Sequence, residues 1–346
     1  MNPYAKLTFS LSLTLGTAIA ISSSHWMMAW TGLEINTLAI IPLISKSHHP
    51  RAIEAAIKYF LVQAAASTLL LFSSMINAWH TGQWDITQLN HPTSSLLLTT
   101  AIAMKLGLVP FHFWFPEVLQ GSPLTTAMLL STVMKFPPIT ILFLTSHSLN
   151  PTLLTTMAIA SAALGGWMGL NQTQIRKILA FSSISHLGWM SIILIYSPKL
   201  TLMTFYIYCI MTGAIFLTLN TTKSLKLSTM MTSWTKTPML NTTLMMTLLS
   251  LAGLPPLTGF LPKWLIIQEL SKQEMTTSAT IIAILSLLSL FFYLRLAYYS
   301  TITLPPNPTN HMKQWHINKP TNTLIATLSS MSTLLLPLSP MTLALI

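Results

Sequence analysis

The sequence predicts an all-α polytopic membrane protein of about 11 transmembrane helices, and three observations lead there. Asp, Glu, Lys and Arg make up only 7% of the 346 residues, about a quarter of the share carried by an ordinary soluble domain. Hydrophobic residues reach 52%, with a mean hydropathy of +0.62, and runs long enough to cross a bilayer, about 20 residues each, recur between turn signals. The basic residues gather in alternate loops, as expected of a membrane topology. A water-soluble enzyme and a disordered chain are both excluded by this composition.

In order, the spans read 3–22, 24–45, 52–79, 94–119, 123–145, 150–170, 174–196, 200–222, 238–271, 276–301 and 322–343. The first joins Lys6 to an apolar run ending in Ala18-Ile19-Ala20, which mimics a signal peptide; it is read as a permanent span because the sequence opens at Met1. His49-Pro50 closes the second span and opens the third, whose far end meets an interfacial loop of Trp79, Trp84 and Asp85. Gly121-Ser122-Pro123 separates the fourth from the fifth, and Asn150-Pro151 opens the sixth. Ser197-Pro198 and Thr237-Pro238 mark the starts of the eighth and of an unusually long ninth. Each break sets a polar residue or glycine before a proline, which disfavours helix in the residue before it. One membrane domain, 1–346, is expected.

The loops then fix sides. If the N-terminus defines side one, that side receives ten basic residues, Lys6, Lys46, Arg51, Arg176, Lys177, Lys223, Lys226, Lys236, Lys313 and Lys319, against Lys199 and Lys272 opposite. Removing one helix would scramble that split, so an odd number is favoured. The formal charge of +11 is therefore topology, and no basic run is interleaved with aromatics as on a nucleic-acid surface. Cys209 is the single cysteine, and no Cys/His spacing suits zinc, so no metal, disulfide or redox centre is expected within this chain.

Five basic residues fall inside spans. Lys58 and Arg295 lie near side one and can snorkel, whereas Lys105, Lys135 and Lys263, together with Glu34, fall near mid-depth. A charge there costs about 2.5–3.5 kcal/mol or more. One such residue could be a buried ion pair or a misjudged helix end; four at one depth suggest a polar track in the membrane plane. Prolines accompany the lysines: Pro110 removes the donor for the Leu106 carbonyl, and Pro137 and Pro138 do so for Val133 and Met134. Pro255, Pro256 and Pro262, with Gly253 and Gly259, should break the ninth span ahead of Lys263. Glu54 and Lys58, four apart on one face, read first as a helix-stabilising pair and second as a point of proton uptake. Glu117 reads as a solvated or capping group, and His112 as structural.

The expected breaks fall in the fourth and ninth helices, five apart. An odd unit repeated once must invert, which predicts repeats over about 3–145 and 150–301 followed by an extra helix at 322–343. By that ordinal shift Glu34 corresponds to His186, a buried histidine that is either satisfied in the interior or a proton relay.

Three segments carry a resemblance: Trp30-Thr31-Gly32-Leu33-Glu34-Ile35-Asn36, Lys105-Leu106-Gly107-Leu108-Val109-Pro110-Phe111-His112-Phe113-Trp114, and Gly253 to Trp264 with its Pro255-Pro256 and Pro262-Lys263 pairs. The chain resembles the antiporter-like membrane subunits of respiratory complex I, in their mitochondrially encoded animal form. The resemblance runs from Met1 to Ile346. It implies a fold shortened at the N-terminus to eleven helices, without the long lateral helix of a sister subunit, in the mitochondrial inner membrane with side one as the matrix. The C-terminus would face the intermembrane space. The family's proton-translocating groups would fall on Glu34, Lys105, Lys135 and Lys263. The resemblance also implies that NADH, FMN, iron-sulfur clusters and ubiquinone are handled by partner subunits. Neighbouring antiporter-like and small core subunits, accessory subunits and a phospholipid such as cardiolipin would surround this chain.

An ionised carboxylate beside a buried ammonium favours its charged form. Separating Glu34 from Lys105 would then release a proton through ordered water toward Lys135 and on to Lys263. A self-contained cation/proton antiporter and a purely structural scaffold are the competing function classes; the scaffold would need no aligned charges.

Overall fold

The computed structural model describes residues 3–233, 237–301 and 323–339. Lys236, Lys313, Lys319 and both ends of the expected span 322–343 therefore lie outside the described residues. Short turns join α1 (Pro3–Ser22), α2 (Trp26–Ile44) and α3 (Pro50–Thr81), and each packs on the next. The fourth span is two helices, α4 (Pro92–Leu106) and α5 (Trp114–Gly121). The fifth, expected to be continuous, is also two, α6 (Leu124–Ser131) and α7 (Phe136–Leu144), joined by a 3-10 turn at Val133–Lys135. Its prolines explain this: Pro137 stands in the first turn of α7, where no N–H is needed, so the ladder is interrupted just before it. Next come α8 (Pro151–Gly169), α9 (Ile175–Ile193), α10 (Pro198–Thr222) and a short α11 (Leu227–Ser233). The ninth span divides into α12 (Pro238–Ala252) and α13 (Phe260–Lys272), followed by α14 (Thr276–Thr301) and α15 (Thr323–Leu334).

Local chemistry sets these ends. His49 Nδ1 accepts the Arg51 N–H at 3.2 Å, and Asn150 Oδ1 accepts that of Thr152 at 3.2 Å, each capping a helix that opens with proline. Within the helices, hydroxyls fold back onto carbonyls one turn earlier. Buried Ser73 donates to Leu70 O at 2.7 Å and Ser161 to Ala158 O at 2.8 Å. An apolar bundle can thus carry many Ser and Thr without unpaired polar atoms facing lipid.

Among the described residues, seven segments are long and apolar enough to cross a membrane on their own. Large apolar side chains face outward, as Ile284, Leu287 and Phe291 do on α14. Inside, small residues let backbones touch. A Cβ on Gly32 of α2 would lie 2.7 Å from Ala20 N of α1, and one on Gly188 of α9 would lie 2.7 Å from Ala158 O of α8.

The two broken spans repeat one another. α4 ends on Gly107 and α12 on Gly253, both at φ 77°, ψ 39°. At the same interval after each glycine comes a cis X–Pro bond, Val109–Pro110 or Pro255–Pro256, and at a further equal interval the next helix begins, at Trp114 or Phe260. Pro116 matches Pro262 in this register, and Glu117 matches Lys263. The two lysines of the broken spans, Lys105 buried and Lys263 partly buried, therefore sit on opposite sides of their breaks, Lys105 before and Lys263 after. Paired bridges recur as well. His25 pairs with Asp85 ahead of α2, and Gln174 pairs with Lys226 ahead of α9. Counted from the starts of α2 and α9, Glu34 matches Ser183, one turn before His186.

Candidate functional site: a row of buried ionisable groups

Lys105 lies in the last turn of α4 and is buried, and its Nζ meets no hydrogen-bond partner among the described residues. The helix end around it is tied down from outside. Trp114 Nε1 donates to Met104 O at 3.2 Å, and Gln63 Nε2 of α3 donates to the Lys105 carbonyl at 3.4 Å. These bonds satisfy carbonyls that the Gly107–Pro110 turn leaves without helical donors.

Lys135, 3% exposed, occupies the 3-10 turn between α6 and α7. Its Nζ donates to the Tyr208 hydroxyl of α10 at 3.4 Å, and it stands 4.7 Å from the Phe115 ring centre and 5.3 Å from that of Tyr208. The aromatic faces provide negative potential where no carboxylate is at hand. Lys105 and Lys135 line one cavity together with Asn36, Tyr59, Gln63, Pro137 and Pro138. The centre of a water molecule can explore ≈ 20 Å³ of it, room for about one water.

Lys263, in the first turn of α13, donates from Nζ to the Ala252 carbonyl at 2.7 Å. That carbonyl is the one Pro256 leaves without a donor, so the lysine closes the broken end of α12 and places an ammonium at the negative pole of a helix. Its Nζ is also 5.9 Å from the Trp189 ring centre. Lys263, His186, Trp189, Thr204 and Tyr208 line a second cavity, also of ≈ 20 Å³. The His186 ring lies 5.6 Å from that of Tyr208.

Glu34 is partly buried, with Oε2 enclosed and unbonded, and it forms no ion pair within 4 Å among the described residues. Asn36, two residues on along α2, is buried with both amide atoms unpartnered. Glu54 and Lys58 do pair, at 2.5 Å, but Lys58 also holds Glu117 of α5 at 2.6 Å. Glu117, half-exposed and in the first turn of α5, is in addition an ion-pair partner joining α5 to α3; sequence spacing could not reveal a contact across 59 positions. All three side chains are half-exposed and lie outside both cavities. His112 is buried in the first break, in ring contact with Phe113.

Sequence reasoning missed Tyr208, Gln63 and Tyr59. Gln63 and Tyr208 are polar groups in the middle of apolar helices, the one signal that could have singled them out. Among the described residues no group of three His, Cys, Asp or Glu is placed to hold a metal ion.

Helices broken at matching glycine–proline turns, with lysines buried beside them, define a class of transporter-like membrane subunits. The NADH:quinone oxidoreductase/Mrp antiporter transmembrane family model matches residues 23–289, and a model of the NADH dehydrogenase subunit 2 C-terminus matches residues 290–343. A chain of respiratory complex I from Thermus thermophilus superposes with a TM-score of 0.84 at 25% identity, over 97% of this chain and 80% of that one. A chain of the Mrp complex from a Dietzia species shares the fold, with a TM-score of 0.81 at 17% identity over 97% of this chain and 75% of that one. NADH-ubiquinone oxidoreductase chain 2 of Struthio camelus is 78% identical over 344 residues, 99% of both chains, and that of Coturnix japonica is 75% identical over 341, again 99% of both. The chain belongs to the NADH-ubiquinone oxidoreductase chain 2 family of antiporter-like membrane subunits.

Proposed function

We propose that this chain is a membrane-arm subunit of a proton-translocating NADH:ubiquinone oxidoreductase and carries protons sideways through Glu34, Lys105, Lys135 and Lys263, with His186 as a relay. The observation that carries this reading is a pair of water-sized cavities, the first lined by Lys105 and Lys135, the second by His186 and Lys263. A protonated Lys105 would release its proton to a water in the first cavity, and that water would protonate a neutral Lys135. Glu34 sets the direction: as an anion near Lys105 it holds the proton, and as its influence is withdrawn the proton moves on. Protonation belongs to this coupled set as a whole.

The chain's own residues do not carry electrons in this scheme. NADH, FMN, iron-sulfur clusters and ubiquinone are assigned to partner subunits, and the neighbours of this chain are other antiporter-like, small core and accessory subunits with phospholipid between them. Eleven crossings arise when α4 with α5, α6 with α7 and α12 with α13 each count as one span and the short α11, too short to cross, is left out. The matching glycine–proline turns and the matching bridges support two inverted repeats, about 3–145 and 150–301, in one membrane domain with a further C-terminal helix. The N-terminus then faces the matrix of the mitochondrion and the C-terminus the intermembrane space. Glu54 and Lys58, with Glu117, serve as a structural tie near side one.

The test is the number of protons moved per NADH oxidised by the assembled complex in sealed vesicles. Glu34→Gln and Lys135→Met are each expected to assemble normally and to lower that ratio. Wild-type ratios in both variants would refute the scheme.

A further inference from the structure

The two cavities do not share a lysine, and Lys135, which lines the first, is hydrogen-bonded to a side chain that lines the second. That side chain is Tyr208. Its hydroxyl accepts from Lys135 Nζ at 3.4 Å, its ring is 5.6 Å from that of His186, and it lines the second cavity with Lys263. Tyr208 is 1% exposed. Neighbouring α10 hydroxyls are committed to backbone: Thr204 donates to Thr201 O at 2.8 Å and Thr212 to Tyr208 O at 2.8 Å. A phenol hydroxyl both donates and accepts, so it can do what the surrounding phenylalanines and methionines cannot.

We propose that the Tyr208 hydroxyl conducts the proton between the cavities, an inference that rests on the lateral path given above. In the step, an N–H bond of the Lys135 ammonium breaks and its electron pair stays on nitrogen. The proton bonds to a lone pair of the phenol oxygen as the original O–H proton departs to a water in the second cavity or to the imidazole of His186. Tyr208 is neutral before and after, Lys135 ends neutral, and one positive charge has crossed the wall. Rotation of the hydroxyl restores the starting arrangement. No oxidant or reductant takes part.

Tyr208→Phe separates this role from packing, because phenylalanine keeps the ring that faces Lys135 and His186 and removes only the oxygen. In the assembled complex, the coupled rate of proton movement is expected to fall about a hundredfold, the lower edge of what a positioned acid–base group contributes, with an increased solvent deuterium isotope effect. If Tyr208→Phe pumps at the wild-type rate while Lys135→Met does not, Tyr208 is a packing residue and the lateral path survives without it. If Lys135→Met also pumps normally, the path itself is wrong and this inference falls with it. Should Tyr208→Phe fail to assemble, infrared difference spectra of the wild-type complex with ring-deuterated tyrosine decide the matter. A tyrosine band that changes on NADH addition supports conduction, and its absence overturns it.

Discussion

At Ala252, the carbonyl deprived of its donor by Pro256 is taken by Lys263 Nζ at 2.7 Å, so the residue proposed to carry a proton also completes a broken helix. Lys263→Met would leave that buried carbonyl unpaired, a loss of about 1–3 kcal/mol, and should lower the thermal midpoint of the complex as well as its proton movement. Lys263→Arg, which keeps a donor, should recover the midpoint more than the pumping. Glu117→Gln is expected to leave the ratio of protons to NADH unchanged, because its half-exposed pair with Lys58 lies outside both cavities. The charged members of the row were legible in the sequence, since a lysine amid apolar residues declares itself. Tyr208 and Gln63 were not, because their importance comes from contacts to Lys135 and to the Lys105 carbonyl, across 73 and 42 positions.

Among the elements, the breaks in the fourth and ninth spans follow from glycine and proline at fixed intervals, and both were legible. The 3-10 turn before α7 was not. Pro137 and Pro138 mark the Val133 and Met134 carbonyls as lacking donors, but Pro137 is as compatible with the start of a helix as with a kink within one, so the split into two helices does not follow from them. Close helix pairs were equally silent, since a glycine in a span looks the same whether it faces lipid or a neighbour. Gly32→Val and Gly188→Val should each press against backbone, at Ala20 N and Ala158 O, both 2.7 Å from the first added carbon. Overpacking of this kind costs about 1–3 kcal/mol, and the expected readout is less assembled complex with no selective loss of pumping in what does assemble.

At the scale of the molecule, the split of basic residues and the inverted repeats make one joint statement about sides. The proposed topology would put the bridge between His25 and Asp85 at the opposite membrane face from the bridge between Gln174 and Lys226. In a Cys209→Ser background, Lys46→Cys should react with an impermeant thiol reagent only when the matrix face is open, and Asp85→Cys only from the intermembrane space. Labelling of both from one side would contradict the proposed crossing by α3 and the sides assigned from it. The fold class was readable because lipid imposes long apolar helices on any sequence that crosses it, whereas the cavities depend on how those helices meet.

Lateral conduction stands or falls on hydration between the lysines. The direct measurement is a density map of the assembled complex, in lipid, at a resolution that shows ordered water. Conduction predicts water within hydrogen-bond distance of Lys105 Nζ and Lys135 Nζ in the first cavity, and of His186 and Lys263 in the second. Dry cavities, with those four groups sealed from one another by packed side chains, would contradict it.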